Sequence, residues 1–308
     1  MAANTPGDAG VEQSNTNDPV GFKERVGVIG IGLMGAPMAR RLLEAGIDLL
    51  VYNRTAAKAR ELVGDGERLS ESPAKLAARA DVVILVLADT AAVEQVLMGE
   101  DGMLGSLAPG SLVIDMGTTA VAATRAFADV VRDAGAEFVD APVSGGVVGA
   151  EQGTLSIMAG GSEEAIERAM PLFELLGSRI TRIGECGAGQ IAKAANQVIV
   201  GLTIAAVSEG LALAAHAGAD IGKVRDALSG GFAASRILDL HGRRMETGDF
   251  APGGRCTTQR KDLAQALDLA SQLGIELPVT GLARDLYDRL IADGGGDLDH
   301  AALYKLYR

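Results

Sequence analysis

The chain has 308 residues, enough for two domains, and 48% of them are hydrophobic, with 41 glycines and no tryptophan. Its formal net charge of −12, from 40 acidic against 28 basic residues, opposes phosphate backbones, and no cluster of Lys and Arg offsets it, so nucleic acid is not an expected partner. The cysteines, Cys186 and Cys256, lie far apart and form no CxxC, which argues against a disulfide framework or a structural zinc site and fits a reducing cytoplasm.

Residues 1–24 are rich in Asn, Asp, Gly, Thr and Pro and read as a disordered tail without the basic start and apolar stretch of a signal peptide. From Arg25 onward, short β-branched runs alternate with helical segments, the pattern of a parallel sheet with crossover helices. Strands are expected at 26–29, 49–52, 82–87, 112–115 and 138–141, then at 155–159 and 180–183. Between the last two, a helix is expected from the N-cap Ser162 to Leu176, closed by Gly177. After Gly189 the strand signals stop. Residues 190–217 read as one long helix, apolar around most of its circumference but interrupted by Lys193, Glu209 and His216, hence buried between domains or subunits and not membrane-spanning. Further helices are expected at 221–228, 259–273, 279–292 and 300–306. The domain reading is thus an α/β Rossmann domain with a doubly wound, mostly parallel sheet over 25–187. An all-α substrate and oligomerisation domain over 188–308 follows, joined by the long helix.

The first strand runs into Gly30-Ile31-Gly32-Leu33-Met34-Gly35, a GxGxxG turn that opens a helix, where glycines let the backbone approach a dinucleotide pyrophosphate at the positive helix end. After the second strand, the position where an acidic residue would bond the ribose of NAD holds Asn53, followed by Arg54 and Thr55. A guanidinium and a hydroxyl suit the 2′-phosphate of NADP, so NADP(H) is the expected cofactor, with NAD(H) as the lesser one. Leu87 and Ala88, at the end of the third strand, are assigned to the same site.

Three later segments stand out: Asp140-Ala141-Pro142-Val143-Ser144-Gly145-Gly146, then Gly153-Thr154-Leu155-Ser156-Ile157-Met158, then Gly187-Ala188-Gly189-Gln190 leading to Lys193. With the nucleotide motif they resemble the β-hydroxyacid dehydrogenases from Val26 to the C-terminus. The resemblance implies a nicotinamide-linked oxidoreductase with Lys193 as general acid/base. Its helical neighbours Asn196 and Gln197 would lie on the same face, with Gln197 standing where the family commonly has asparagine. It further implies that Ser144, Gly145, Gly146 and Thr118 hold a small carboxylate-bearing substrate, and that Lys261 lies near the nicotinamide. The family usually has serine at the position of Gly117.

The run 230–238, together with 195–200 and Leu298-Asp299-His300, is similar to the tartronate semialdehyde reductase branch, which interconverts that 3-oxo acid and D-glycerate. A 3-hydroxyisobutyrate dehydrogenase, another semialdehyde or imine reductase, and a non-catalytic NADPH-binding module are the alternatives. A homo-oligomer, dimer or tetramer, is expected from the apolar long helix. His216, His241 and His300 show no ligand spacing, so no metal is expected.

Overall fold

Runs of Val, Ile and Leu that are buried on both faces build the centre of the molecule, which a computed structural model describes for residues 21–308. In chain order the elements are β1 (Val26–Ile29), α1 (Gly35–Glu44), β2 (Leu49–Tyr52), α2 (Ala56–Val63), α3 (Pro73–Ala77), β3 (Val82–Leu85), α4 (Thr90–Met98), β4 (Leu112–Asp115) and α5 (Val121–Asp133). Next come β5 (Glu137–Asp140), β6 (Val143–Ser144), α6 (Gly146–Gln152), β7 (Leu155–Gly160), α7 (Glu163–Leu176) and β8 (Gly177–Gly184). The remainder is helical: α8 (Ala188–His216), α9 (Ile221–Leu228), α10 (Arg236–Thr247), α11 (Cys256–Gln272), α12 (Pro278–Leu290) and a terminal 3₁₀ helix, His300–Tyr307.

The sheet order is β2-β1-β3-β4-β5-β7-β6, with β8 on β7. Strands β2, β1, β3, β4 and β5 are parallel, β7 is antiparallel to β5 and β6, and β8 is parallel to β7. The expected Rossmann class is therefore borne out, with its switch point between β1 and β3, where a ligand is met beyond the carboxyl ends of the strands. One sheet face packs Val28 and Ile84 against Met38 and Leu42 of α1 and Phe173 of α7. The other packs Val83 and Leu85 against Leu97 of α4 and Phe127 of α5. A separate core joins Ile204 and Leu211 of α8 to Met245, Leu263, Tyr287 and Tyr304.

Four local expectations are revised. Ser162 does cap α7, its Oγ accepting from the Ala165 amide at 3.1 Å, but Gly177 is extended (φ −145°) and opens β8 instead of making a left-handed stop. Helix α10 has no counterpart in the sequence expectation. Of the expected tail, residues 1–20 lie outside the described residues, whereas Phe22 already packs on the sheet core and Glu24 bonds Arg168 at 2.6 Å. Within one chain, α8 buries a single face, Gly189, Gln190, Lys193, Gln197, Gly201, Ile204, Ser208 and Leu211 among it, and leaves Ile199 and Leu213 65% and 74% exposed. By length and composition α8 is apolar enough to cross a membrane; here it packs against β7, β8, α10, α11 and α12.

The start of α8 is fixed by Asp140 at the end of β5. Its fully buried carboxylate accepts from the amides of Gly187 (2.7 Å) and Gln190 (2.8 Å), charge-assisted bonds at the positive end of a helix. Burial raises this carboxyl to about 6 despite those two bonds. Because the folded value lies above the ordinary 3.8, the group's stabilising contribution is complete below about pH 4 and is lost as pH rises through about 6. Between pH 4 and 7 the wild type should thus lose about 3 kcal/mol of stability relative to Asp140→Asn, at ~1.4 kcal/mol per pH unit, in denaturant titrations. A difference between the two proteins that stays flat over that range would contradict this account.

Candidate active site

The turn from β1 into α1 is shaped by its glycines. A Cβ on Gly30 (φ +107°) would come within 2.3 Å of the Val86 oxygen, and one on Gly35 within 1.8 Å of the Gly30 oxygen, so both must be glycine for the turn to close. A Cβ on Gly32 would meet nothing within 4 Å. The Ile31 amide is bound by Asn53 Oδ1 at 2.9 Å, whereas the amides of Gly32, Leu33 and Met34 donate to no group among the described residues. An open cradle with unspent amides at a helix start fits a pyrophosphate. Asn53 turns its Nδ2 to the Thr55 oxygen (2.9 Å), so its amide shapes the loop, while Arg54 and Thr55 are exposed and Arg54 has no partner among the described residues.

Across the sheet edge, Lys261 of α11 reaches the loops after β3 and β4. Its Nζ donates to the main-chain oxygens of Ala88 (3.1 Å) and Thr118 (3.0 Å) and lies 3.0 Å from Asp262 Oδ1. It therefore closes the edge where Leu87, Ala88 and Thr118 stand. A small cavity lies nearby, lined by Thr118, Thr119, Gln190, Ala194, Gln197 and Asp262.

Lys193 stands on the buried face of α8, 8% exposed. Its ammonium donates to the Val143 oxygen (2.8 Å) and to Gln197 Oε1 (3.0 Å), leaving one of its three N–H groups unspent. Burial pushes this amine down to about 8, with Asp262 opposing and Lys261 reinforcing the fall. The Val143 bond ties the lysine to the Ser144 turn, where Gly145 (φ +140°) and Gly146 (φ +64°) take conformations that disfavour other residues and leave their backbone exposed. The arrangement brings together an ammonium with one unspent N–H among the described residues, a hydroxyl and an exposed glycine turn.

Asn196 joins this group through Gln197, its Nδ2 donating to Gln197 Oε1 at 2.7 Å. Gln197 itself, expected against substrate, spends both ends of its amide inside the protein, its Nε2 on Asp262 Oδ2 (2.6 Å) and Gln259 Oε1 (3.3 Å). The extra methylene over asparagine supplies that reach.

Sequence reasoning assigned no role to Asp140, Gln190 or Gln259, and read Asp262 only as complementing the dipole at its helix start. Gln190 is 2% exposed and knits α8 to the β4 loop through the Thr119 amide (3.1 Å), the Thr119 hydroxyl (3.0 Å) and the Gly117 oxygen (3.0 Å). A polar side chain at the start of a long apolar helix was the available signal. Thr119 also bonds the buried Asp115, whose carboxyl burial raises.

The histidines are not isolated as their spacing implied. His241, Asp299 and His300 bring their ligand-type atoms within 4.8 Å of one another. Coordination is a poor account of the cluster, because Asp299 already accepts from the amides of Gly253 (2.9 Å), Gly254 (3.1 Å) and Ala301 (3.0 Å). Arg244 stands 3.8 Å away, placing a second cation-type group on the same carboxylate, and the imidazoles pack edge to face at 4.5 Å.

Cradle, lysine and glycine turn together define a nicotinamide-dependent oxidoreductase acting on CH–OH groups. Residues 25–184 match the family model described as the NAD binding domain of 6-phosphogluconate dehydrogenase, and residues 187–307 that described as NAD-binding of NADP-dependent 3-hydroxyisobutyrate dehydrogenase. The chain is 45% identical over 281 residues to the 2-hydroxy-3-oxopropionate reductase of Escherichia coli K12, covering 91% of this chain and 96% of that one. It belongs to the 3-hydroxyisobutyrate dehydrogenase-like family of β-hydroxyacid dehydrogenases. Among solved structures, a 3-hydroxyisobutyrate dehydrogenase from Salmonella typhimurium superposes with a TM-score of 0.84 at 30% identity, covering 92% of this chain and 100% of that one. Psf3, solved in complex with NADP+ and 2-OPP, gives 0.85 at 27% identity, with 92% and 100% covered.

Gly32 offers a clean test of the cradle. Gly32→Ala adds a methyl group that touches no protein atom, so melting of the free protein should be unchanged while the dissociation constant for NADPH, followed by its fluorescence, rises about tenfold or more. Unimpaired binding would remove the pyrophosphate from this turn.

Proposed function

We propose that the protein reduces a small 3-oxo acid to a 3-hydroxy acid with NADPH, and that the substrate is tartronate semialdehyde, giving D-glycerate. The observation that carries this reading is the buried Lys193, whose lowered pKa and one unspent N–H suit a proton donor beside a carbonyl oxygen. The name of the 45% identical relative supports the substrate, and the exposed guanidinium of Arg54 supports NADP over NAD.

When bound, NADPH supplies the hydride that reaches the aldehyde carbon. Lys193 gives its proton to the aldehyde oxygen, and Gln197 and Val143 hold the ammonium in place as it does so. Ser144 and the amides of Gly145 and Gly146 receive the substrate carboxylate. Lys261 and Thr118 keep the nucleotide edge closed.

We also propose that the protein acts as a homo-oligomer in the reducing cytoplasm. The exposed apolar side chains of α8 support association, and the free thiols Cys186 and Cys256, which burial pushes up to about 12, support the compartment.

The decisive experiment compares catalytic efficiency for tartronate, methylmalonate and succinate semialdehydes with NADPH and NADH. Tartronate semialdehyde with NADPH should be preferred, and Arg54→Ala should raise the KM for NADPH far more than that for NADH. Preference for another aldehyde, or equal effects on both cofactors, would discard the substrate or the Arg54 assignment respectively. Lys193→Ala should abolish turnover while sparing NADPH binding. Because the acid form is required, kcat/KM for reduction should fall as pH rises through about 8, and that for the reverse oxidation should rise. A pH-independent profile with an active Lys193→Ala variant would take the lysine out of the reaction.

A further inference from the structure

Behind Lys193 and Gln197 runs a line of buried polar groups that the reaction as described does not use. Gln197 Oε1 accepts from Lys193 and from Asn196, and its Nε2 donates to Asp262 and, at 3.3 Å, to Gln259 Oε1. Gln259, 1% exposed, returns its own Nε2 to the main-chain oxygen of Gln197 at 3.1 Å. Its Oε1 also faces Nδ1 of His300 at 3.4 Å. His300 in turn packs on the ring of His241, next to Asp299.

The direction of each bond is forced by chemistry. An ammonium only donates and an ionised carboxylate only accepts, so Gln197 must present oxygen to Lys193 and nitrogen to Asp262. That makes the Gln259 oxygen an acceptor, and an imidazole nitrogen facing an acceptor must carry the proton. His300 is therefore the Nδ1–H tautomer. Burial, with His241 reinforcing it, lowers His300 to about 4, so this tautomer is neutral through the physiological range. Were Gln197 to turn over, its amino group would meet the ammonium and its oxygen the Asp262 carboxylate, two like-for-like contacts. Lys193 and Asn196 resist that at the oxygen end, and Asp262 and the Gln259–His300 pair resist it at the amino end.

We propose that Gln259 and His300 are positioning residues for proton transfer, locking the Gln197 amide with its oxygen toward Lys193 so that the unspent N–H of the lysine stays aimed at the substrate. The inference rests on Lys193 being the proton donor. Two features support it independently of that reading. The pair joins α8, α11 and the terminal 3₁₀ helix, three elements far apart in the chain, and Asp299 holds the start of that last helix through the amides of Gly253, Gly254 and Ala301. Burial alone would raise the Asp299 carboxyl, but His241 Nδ1 at 3.4 Å and the Ala301 amide hold it below the usual range, so it stays an acceptor. The charged and titratable groups facing Lys193 are Asp262 and Lys261 from α11 and His300 from the 3₁₀ helix, with His241, Arg244 and Asp299 behind His300.

The test compares His300→Leu, which removes the donor, with His300→Asn, whose amide nitrogen can take the place of Nδ1. His300→Leu should lower kcat for reduction about tenfold, leave the KM for the semialdehyde and NADPH binding within about twofold, and move the alkaline limb of the pH profile below about 8. His300→Asn should recover most of both. Gln259→Leu should reproduce the His300→Leu pattern and serves in its place if that variant does not melt cooperatively or bind NADPH. An unchanged kcat and limb in a folded variant, or a loss that His300→Asn does not rescue, would overturn the proposal. Lys193→Ala separates the two readings: if it is inactive while His300→Leu is normal, only the positioning role fails, whereas an active Lys193→Ala removes both.

Discussion

The carboxylate of Asp140 ends β5 and receives the first amides of α8, and the rest of the site takes its coordinates from that junction. Two glycines make it possible: a Cβ on Gly160 would approach Asp140 Oδ1 to 2.5 Å, and one on Gly189 would approach the Met158 oxygen to 2.3 Å. With the helix start pinned in direction and depth, Lys193 falls against the Val143 oxygen one turn later, and Gln197 falls one turn beyond that. An ionised acid at a helix N-terminus is favourable in charge but costly in burial. The balance explains a carboxyl that remains mostly ionised at neutral pH without a basic partner.

The second layer of control is the set of charges on α11. Asp262 and Lys261 are neighbours in sequence but work in different directions. The carboxylate orients Gln197 and favours the charged lysine, while the cation beside it opposes that charge and at the same time clamps the loops after β3 and β4. Burial outweighs both and brings the Lys193 amine down to about 8. The loops after β3 and β4 and the buried Lys193 are thus held by the same helix, which comes from the all-α part of the chain.

Much of this was legible in the sequence, and the reasons are local. β1, β2 and β4 follow directly from short apolar runs bounded by turn residues, and the GxGxxG turn announces itself because only glycine tolerates such close approach. Long-range polar pairing was not legible. Asp140 meets partners 47 and 50 residues away, Gln190 meets Gly117 across 73, and Gln259 meets Gln197 across 62. No periodicity encodes such pairs. Helix α10 was missed because its polar residues dominate, with Leu238, Gly242 and Met245 alone buried on a narrow stripe. The histidine cluster was hidden for a similar reason: 59 positions separate His241 from His300 (300 − 241), and the fold closes that gap.

Asn53 carries a consequence for how cofactor choice can change over evolutionary time. In a Rossmann turn that reads NAD, an acid at this position serves the ribose. Here the side chain is a staple with two prongs, an acceptor for the Ile31 amide and a donor to the Thr55 oxygen. An aspartate would keep the first prong and lose the second, placing a carboxylate against a carbonyl oxygen in the segment that presents Arg54. A single replacement would therefore trade loop order for ribose recognition. A second brace on residues 53–55 would let such a replacement keep the loop in place.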